Sequence, residues 1–180
     1  DSTKVAEMVD KGLVELGIVG IKPAGFAAEY FDNDNLVLVV PSKHRFIEIN
    51  LKSEKNVKLP EIDICELRNE PFIAREQGSG TRNAMEAGLE KAGFSLRDLK
   101  IVCELGSTSA VKKAVIESIG ISIISDKAIT NELKLGLIKI VKIRDLDIKR
   151  NFYLINNPKQ TLSPISKSFI HLIKNYKSHT

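Results

Sequence analysis

The stretch Pro71–Phe94, PFIAREQGSGTRNAMEAGLEKAGF, carries the signals of a strand, a turn and a helix in succession. PFIA is a short apolar run of the kind expected for a buried strand. NAMEAGLEKAGF is amphipathic and belongs to a predicted helix at about 80–92. Between the two lies GSGTR, Gly78–Arg82, which places two glycines, two hydroxyls and a guanidinium at the predicted helix start.

This order of strand and helix continues downstream. The apolar runs IVCEL, GISIIS and LIKIVKI alternate with predicted helices at about 108–118 and 126–133, and RNFYLIN adds one more strand. Alternation at this spacing indicates βαβ units and a largely parallel sheet with helices on both faces. A last helix is predicted after Ser163 and Pro164, which suit the N-cap and the first helical position.

The upstream part of the chain is less regular. Ser2 or Thr3 can cap a short N-terminal helix, and the apolar runs ELGIVG and NLVLVV are predicted as strands separated by a polar turn rich in Asp and Asn. Residues 41–70 contain Pro41 and Pro60 as breakers and show little periodicity. The sequence therefore makes no firm prediction for that segment.

Composition indicates an ordinary globular protein of one domain or two small lobes, with 180 residues and 43% hydrophobic side chains. The net charge of +4 comes from basic residues spread along the chain, which is weak evidence for nucleic-acid binding. The longest apolar runs fall far short of the roughly 20 residues that cross a bilayer, so no membrane partner is expected. Cys65 and Cys103 suit reduced thiols in a cytoplasmic protein, although one disulfide stays open.

The GSGTR turn has the features of an anion site. A helix start offers unpaired amide donors and partial positive charge, Ser79 or Thr81 can cap the helix, and Gly80 allows close backbone approach. Arg82 could add a fixed charge for a carboxylate or oxyanion. The structural alternative is that the hydroxyls are simple caps and that Arg82 pairs with Glu86 at i+4.

A second turn of the same kind occurs in ELGSTSAVKKAV, where Ser107 and Thr108 follow a predicted strand and open a predicted helix. In an open parallel sheet both turns would lie at the carboxyl ends of their strands, where such folds bind small ligands. Neither turn matches GxxxxGK[ST] or GxGxxG, so a nucleotide phosphate site is poorly supported.

Catalytic signals are weak. His44, His171 and His179 are scattered, with no pair at metal-ligand spacing. The GxSxG motif of hydrolases would need Gly at position 77, where Gln77 stands. No catalytic residue, metal ligand or cofactor is predicted, and we do not expect an enzyme.

Taken in order, the segments ELGIVG, LVLVVPSKH, EPFIAREQGSGTRNAMEAGLEKAGF, ELGSTSAVKKAVIESIGISIIS and IKRNFYLINNPKQTLSPISKSFIHLI resemble the effector-binding domain of LysR-type transcriptional regulators. The resemblance runs nearly end to end. It implies an α/β fold of the periplasmic-binding-protein type II, with two α/β subdomains joined by two crossover strands. The first subdomain would comprise 1–39 with 158–180 and the second 40–157, with LVLVVP and FYLINN as the hinge.

The resemblance also implies a function. A small anionic effector would bind in the cleft between the subdomains, touching Gly20 and Ile21 after the GIV strand and the turn Ser79–Thr81. The domain would act as a homodimer or tetramer and would reach DNA only through a winged helix-turn-helix that is absent from this chain. The first strand, loop and helix of such domains also have no counterpart here.

Two alternatives remain open from the sequence. A solute-binding protein of a transport system for an oxyanion or small carboxylate shares the fold and uses similar GSGT turns, and it would carry a secretory leader. An enzyme related to dehydratases of this fold would need a titratable group in its cleft, and the sequence shows no obvious one.

Overall fold

A computed structural model describes residues 2–48 and 59–177 of the chain, the last four as backbone only. The helices of this described part are α1 (Ser2–Asp10), α2 (Arg45–Glu48), α3 (Gly80–Lys91), α4 (Thr108–Ile116), α5 (Thr130–Lys134) and α6 (Pro164–Lys177). The strands are β1 (Gly17–Val19), β2 (Ala27–Pro41), β3 (Glu61–Ile62), β4 (Pro71–Arg75), β5 (Lys100–Leu105), β6 (Ser122–Ser125), β7 (Ile138–Ile143) and β8 (Ile148–Asn156). Short 3₁₀ helices span Ile64–Asn69, Leu96–Asp98 and Asp126–Ala128.

The chain divides into two compact units. The first comprises Asp1–Asn33 with Asn151–Thr180, and the second comprises Asp34–Arg150. Strands β2 and β8 each begin in one unit and end in the other. Strand β2 contains LVLVVP, and β8 contains all of FYLINN except its last residue, Asn157. The hinge role of these segments and the subdomain limits near 39 and 157 stay predictions.

The second unit is built on β2. Strand β2 pairs antiparallel with β6 through Leu36–Val39 and with β7 through Leu38–Pro41. Strand β3 runs parallel to β7, and β4 runs parallel to β5 in a separate two-stranded sheet. The prediction of a largely parallel sheet is therefore wrong for β2, β6 and β7. Hydrophobic patterns report which faces a strand buries, not its direction, so they could not have shown this.

Burial on both faces of β2 agrees with its continuous apolar run. Leu38 and Val40 belong to one hydrophobic cluster, whereas the intervening Val39 belongs to another. Side chains alternate across a strand, so the two clusters cover opposite faces. The first cluster also includes Phe72 of β4 and Met85 and Leu89 of α3, so α3 packs against the sheet.

The predicted polar turn before NLVLVV does not exist. Asp32–Asn35 lie inside β2, which runs on for 15 residues. Polar groups are tolerated in a strand when they are hydrogen-bonded, and here Asn35 donates to the carboxylate of Asp126 at 3.0 Å. Asp34 is bound by Arg150.

In the first unit, α1 packs on β1, and β1 pairs antiparallel with β8. Its small core contains Val9, Val19 and Ile155. The predicted N-cap of α6 is confirmed, because the Ser163 hydroxyl accepts from the Ser166 amide. Glu15 in turn accepts the Ser163 amide and hydroxyl at 3.0 and 2.7 Å. The apolar residues Ile165 and Leu172 of α6 are exposed in this chain.

Candidate functional site

The start of α3 lies just beyond the end of β4. Gly78 has φ of +86°, a backbone conformation that glycine adopts without strain, and it turns the chain between strand and helix. Ser79 occupies the N-cap position, which the sequence left open between Ser79 and Thr81. Among the described residues, no acceptor is found for the amides of Gly80, Thr81 and Arg82. The first turn of α3 therefore presents three amide donors.

The hydroxyl of Ser79 does not satisfy these donors. It makes no capping hydrogen bond, although the residue is 3% exposed and its backbone carbonyl accepts from the Asn83 amide. The expectation that Ser79 or Thr81 caps the helix with its side chain is therefore wrong. The uncapped amides and the Ser79 hydroxyl leave this helix start able to bind an acceptor group.

The Thr81 hydroxyl already has a partner. It accepts a hydrogen bond from Arg150 Nη1 at 2.8 Å, and Thr81 is buried. Arg150 also forms an ion pair with the buried carboxylate of Asp34. A hydroxyl has one donor hydrogen, so the hydrogen of Thr81 must point away from the guanidinium. The bond from Arg150 thus leaves Thr81 as a donor toward any further partner.

Arg82 is paired with carboxylates, as the structural alternative predicted. Its Nε donates to Glu86 Oε1 at 2.8 Å, and its Nη1 lies 2.7 Å from Glu104 Oε1. Nη1 also donates to the Arg75 carbonyl at 3.0 Å. These carboxylates, Glu86 first, raise the pKa of Arg82 above its ordinary value. The predicted role of Arg82 as a ligand for an anion stays a prediction, and the charge it would bring is largely neutralised.

The second helix start lies next to the first. β4 and β5 run parallel and end together, with Arg75 opposite Leu105. Arg75 Nη1 then donates to the Thr108 hydroxyl at 2.8 Å. Ser107 is exposed and caps α4, accepting from the Ala110 amide at 3.2 Å. The prediction that both turns lie at the carboxyl ends of parallel strands is confirmed, whereas the ligand-binding roles of Ser107 and Thr108 stay predictions.

Charges around the two turns are balanced in pairs. Arg75 donates from Nε and Nη2 to the carboxylate of its neighbour Glu76, at 2.7 and 2.9 Å. That contact lowers the pKa of Glu76 below its ordinary value. Arg75, Arg82 and Arg150 are thus each bound to at least one carboxylate. Recognition of an anion here would depend on backbone amides and hydroxyls, with guanidinium groups holding the hydroxyls in place.

Gly20 and Ile21 lie in the first unit, directly after β1. The Gly20 amide donates to the Ser2 hydroxyl at 3.1 Å. Ile21 is 52% exposed. Their contact with an effector stays a prediction.

Sequence reasoning missed three residues of this site: Asp34, Arg75 and Arg150. Arg75 ends the strand that leads into the turn, so its position could have suggested it. Asp34 lies in the polar run that the sequence predicts to be a turn. Arg150 is 69 residues from Thr81 along the chain, and no local signal joins the two.

A cavity elsewhere in the second unit is the alternative to this helix start as a ligand site. It has a volume of about 480 Å³ and is lined by apolar residues such as Leu36 and Val141 and by charged residues such as Lys142 and Asp145, but by none of the predicted site residues. Over residues 2–48 and 59–177, no three His, Cys, Asp or Glu residues lie close enough together to hold a metal ion.

Comparison with known proteins identifies the family. The chain matches the LysR substrate binding domain family over residues 1–178. It is 36% identical over 170 residues to an HTH-type transcriptional regulator of Methanocaldococcus jannaschii, covering 94% of this chain and 54% of that protein. The regulatory domain of Synechocystis CcmR, solved in complex with 2-PG, superposes with a TM-score of 0.77 at 27% identity, covering 96% of this chain and 78% of that one. The effector-binding domain of QuiR, solved with shikimate, gives a TM-score of 0.81 at 19% identity over 99% and 79%.

The chain therefore belongs to the LysR substrate-binding domain family, a family of transcriptional regulators and not of enzymes. Its fold is the predicted two-part α/β fold of the periplasmic-binding-protein type II. The names of the relatives favour a regulator over a transport solute-binding protein. The chain spans about half the length of the curated relatives it matches. No helix in the described part is long and apolar enough to cross a bilayer.

Proposed function

We propose that the chain is the ligand-sensing domain of a LysR-type transcriptional regulator, and that its signal is a small anion recognised at the Ser79–Arg82 turn. One observation carries the choice of site: a buried serine at a helix N-cap leaves its helix uncapped. Helix starts whose amides have no acceptor are ready anion sites. Related regulatory domains have been solved with 2-PG and with shikimate, which supports a small-molecule signal here.

The effect of the ligand follows from linkage. A ligand shifts a conformational equilibrium only through its differential affinity for the two states. At 100 times its dissociation constant, a ligand that binds one state stabilises it by about 2.7 kcal/mol, which is enough to bias two lobes joined by two strands. The proposed output is a change in contacts within a homodimer or tetramer in the cytoplasm. DNA would be bound by a separate helix-turn-helix segment of the full regulator.

A thermal-shift screen tests the proposed site. Sulfate, phosphate and small carboxylates are added in excess to the wild-type chain and to a Ser79→Ala, Thr81→Ala double variant. A Thr130→Ala variant, altered at the start of α5, is the matched control for loss of a helix-start hydroxyl. We expect at least one anion to raise the Tm of the wild type and the control, with the shift reduced by more than half in the double variant. Equal shifts in all three proteins would refute the assignment of the turn.

A further inference from the structure

A buried ion pair joins β2 and β8 at the limits of the second unit. Asp34 is the first residue of that unit and Arg150 is its last. Arg150 donates from Nε to Asp34 Oδ1 at 2.9 Å and from Nη2 to the other carboxylate oxygen. The side chains of Asp34 and Arg150 are 2% and 11% exposed. A bidentate pair of this kind has one well-defined geometry, because both partners are planar.

The same guanidinium reaches the start of α3. Its remaining nitrogen, Nη1, donates to the Thr81 hydroxyl at 2.8 Å. The five donors of an arginine lie in one rigid plane, so two bonds to Asp34 fix the direction in which Nη1 points. The position of the Thr81 hydroxyl is therefore set by a carboxylate on β2, through a side chain on β8.

From this geometry we infer that Arg150 is a positioning residue that couples the Ser79–Arg82 turn to the two strands that leave the second unit. The functional meaning of the coupling rests on the proposed role of that turn in ligand binding. If the Thr81 hydroxyl moves toward a ligand, the guanidinium must rotate or lose a bond, because all three contacts share its plane. Asp34 and Arg150 belong to β2 and β8, so both strands experience the change.

The coupling can be measured without any ligand, by hydrogen–deuterium exchange on the purified chain. Thr81→Val removes the hydroxyl at nearly constant shape, whereas Thr81→Ser keeps it. Thr108→Val is the matched control, because the Thr108 hydroxyl also accepts from an arginine, Arg75, outside the Asp34–Arg150 pair. The readouts are peptides that contain Asp34 and Arg150, with the buried strand β6 as an internal reference.

We expect Thr81→Val to speed exchange around both Asp34 and Arg150 by about tenfold, since a hydrogen bond to a charged group typically contributes at least that factor. Thr81→Ser and Thr108→Val should stay within about twofold of the wild type. Unchanged exchange in Thr81→Val, an equal rise in Thr108→Val, or an equal rise in β6 would each overturn the inference. The last result would mean only a general loss of stability.

Arg150→Lys provides an independent test, including the case in which Thr81→Val does not fold. Lysine keeps the charge opposite Asp34 but has no planar fork to hold Thr81 at the same time. We expect faster exchange at the start of α3, around Asn83, with β6 unchanged. Unaltered exchange at α3 would contradict a positioning role. Because no ligand is present, failure of the anion screen and failure of the coupling are separate results.

Discussion

Arg82 Nη1 and Glu104 Oε1 lie 2.7 Å apart, which joins the first turn of α3 to the neighbouring strand β5. Glu104 therefore competes with an incoming anion for the guanidinium. Whether Arg82 can serve a ligand depends on how firmly this carboxylate holds it. The Glu104 side chain is 47% exposed, so the pair is partly screened by solvent.

Replacing Glu104 with Gln should strengthen anion binding at the turn. The variant removes a negative charge that competes with the anion for Arg82. The interaction free energy of a partly exposed ion pair corresponds to about a twofold to fivefold gain in affinity. The measurement is the Kd for sulfate, or for any anion found in the screen, by calorimetric titration. Glu90→Gln removes an exposed charge from the same helix and should leave the Kd unchanged. If Glu104→Gln weakens binding, the carboxylate is helping recognition and not opposing it.

Two glycine substitutions, one at Gly120 and one at Gly106, test the packing behind the site. A Cβ at Gly120 would lie 2.5 Å from the Pro71 carbonyl oxygen, which is too close for backbone atoms that cannot move aside. Gly120→Ala should therefore destabilise the chain by about 1–3 kcal/mol in urea unfolding. At Gly106 a Cβ would meet no atom within 4 Å, so Gly106→Ala should be neutral or slightly stabilising. Equal effects of the two changes would show that the close approach at Gly120 is absent in solution.

The buried Asp34–Arg150 pair should be costly to break. Asp34→Ala leaves a guanidinium buried without its carboxylate, and such changes typically cost about 3–5 kcal/mol. Asp147, whose side chain is 73% exposed, is the comparison, and its alanine variant should stay within about 0.5 kcal/mol of the wild type. Urea unfolding monitored by circular dichroism gives both values. A loss of less than about 1 kcal/mol in the free energy of unfolding for Asp34→Ala would mean that the ion pair is exposed to solvent.

Acid should weaken the region of the two turns. The pKa of Glu76 lies below its ordinary value of 4.5, chiefly because Arg75 donates to it. A lowered pKa in the folded state means that the stabilisation is fully present above pH 4.5 and is lost as the pH falls through the lower value. Glu76→Gln should therefore show a smaller loss of stability than the wild type between about pH 5 and pH 3. If the free energy of unfolding of the two proteins falls equally over this pH range, the Glu76 carboxylate does not contribute to stability in this way.

The sequence predicted the alternating strands and helices from Pro71 onward because each element has its own hydrophobic period. It also predicted that the two turns at Gly78–Arg82 and Ser107–Thr108 lie at the carboxyl ends of parallel strands, and β4 and β5 are indeed parallel. It did not predict the antiparallel pairing of β2, because strand direction leaves no periodic signal. The polar run around Asp34 predicts a turn, because the partner that lets Asp34 lie in a strand, Arg150, is distant along the chain and leaves no local signal.

Titration of the 15N-labelled chain with sulfate, phosphate and small carboxylates, followed by amide NMR spectra, shows directly whether an anion binds at the start of α3. We expect an anion that stabilises the protein to shift the amide signals of Gly80, Thr81 and Arg82 more than any others in the second unit, because these donors have no acceptor among the described residues. Shifts that leave these three amides unmoved and gather instead around Leu36, Ile123 and Val141 would mean that the anion binds in the 480 Å³ pocket and not at the start of α3.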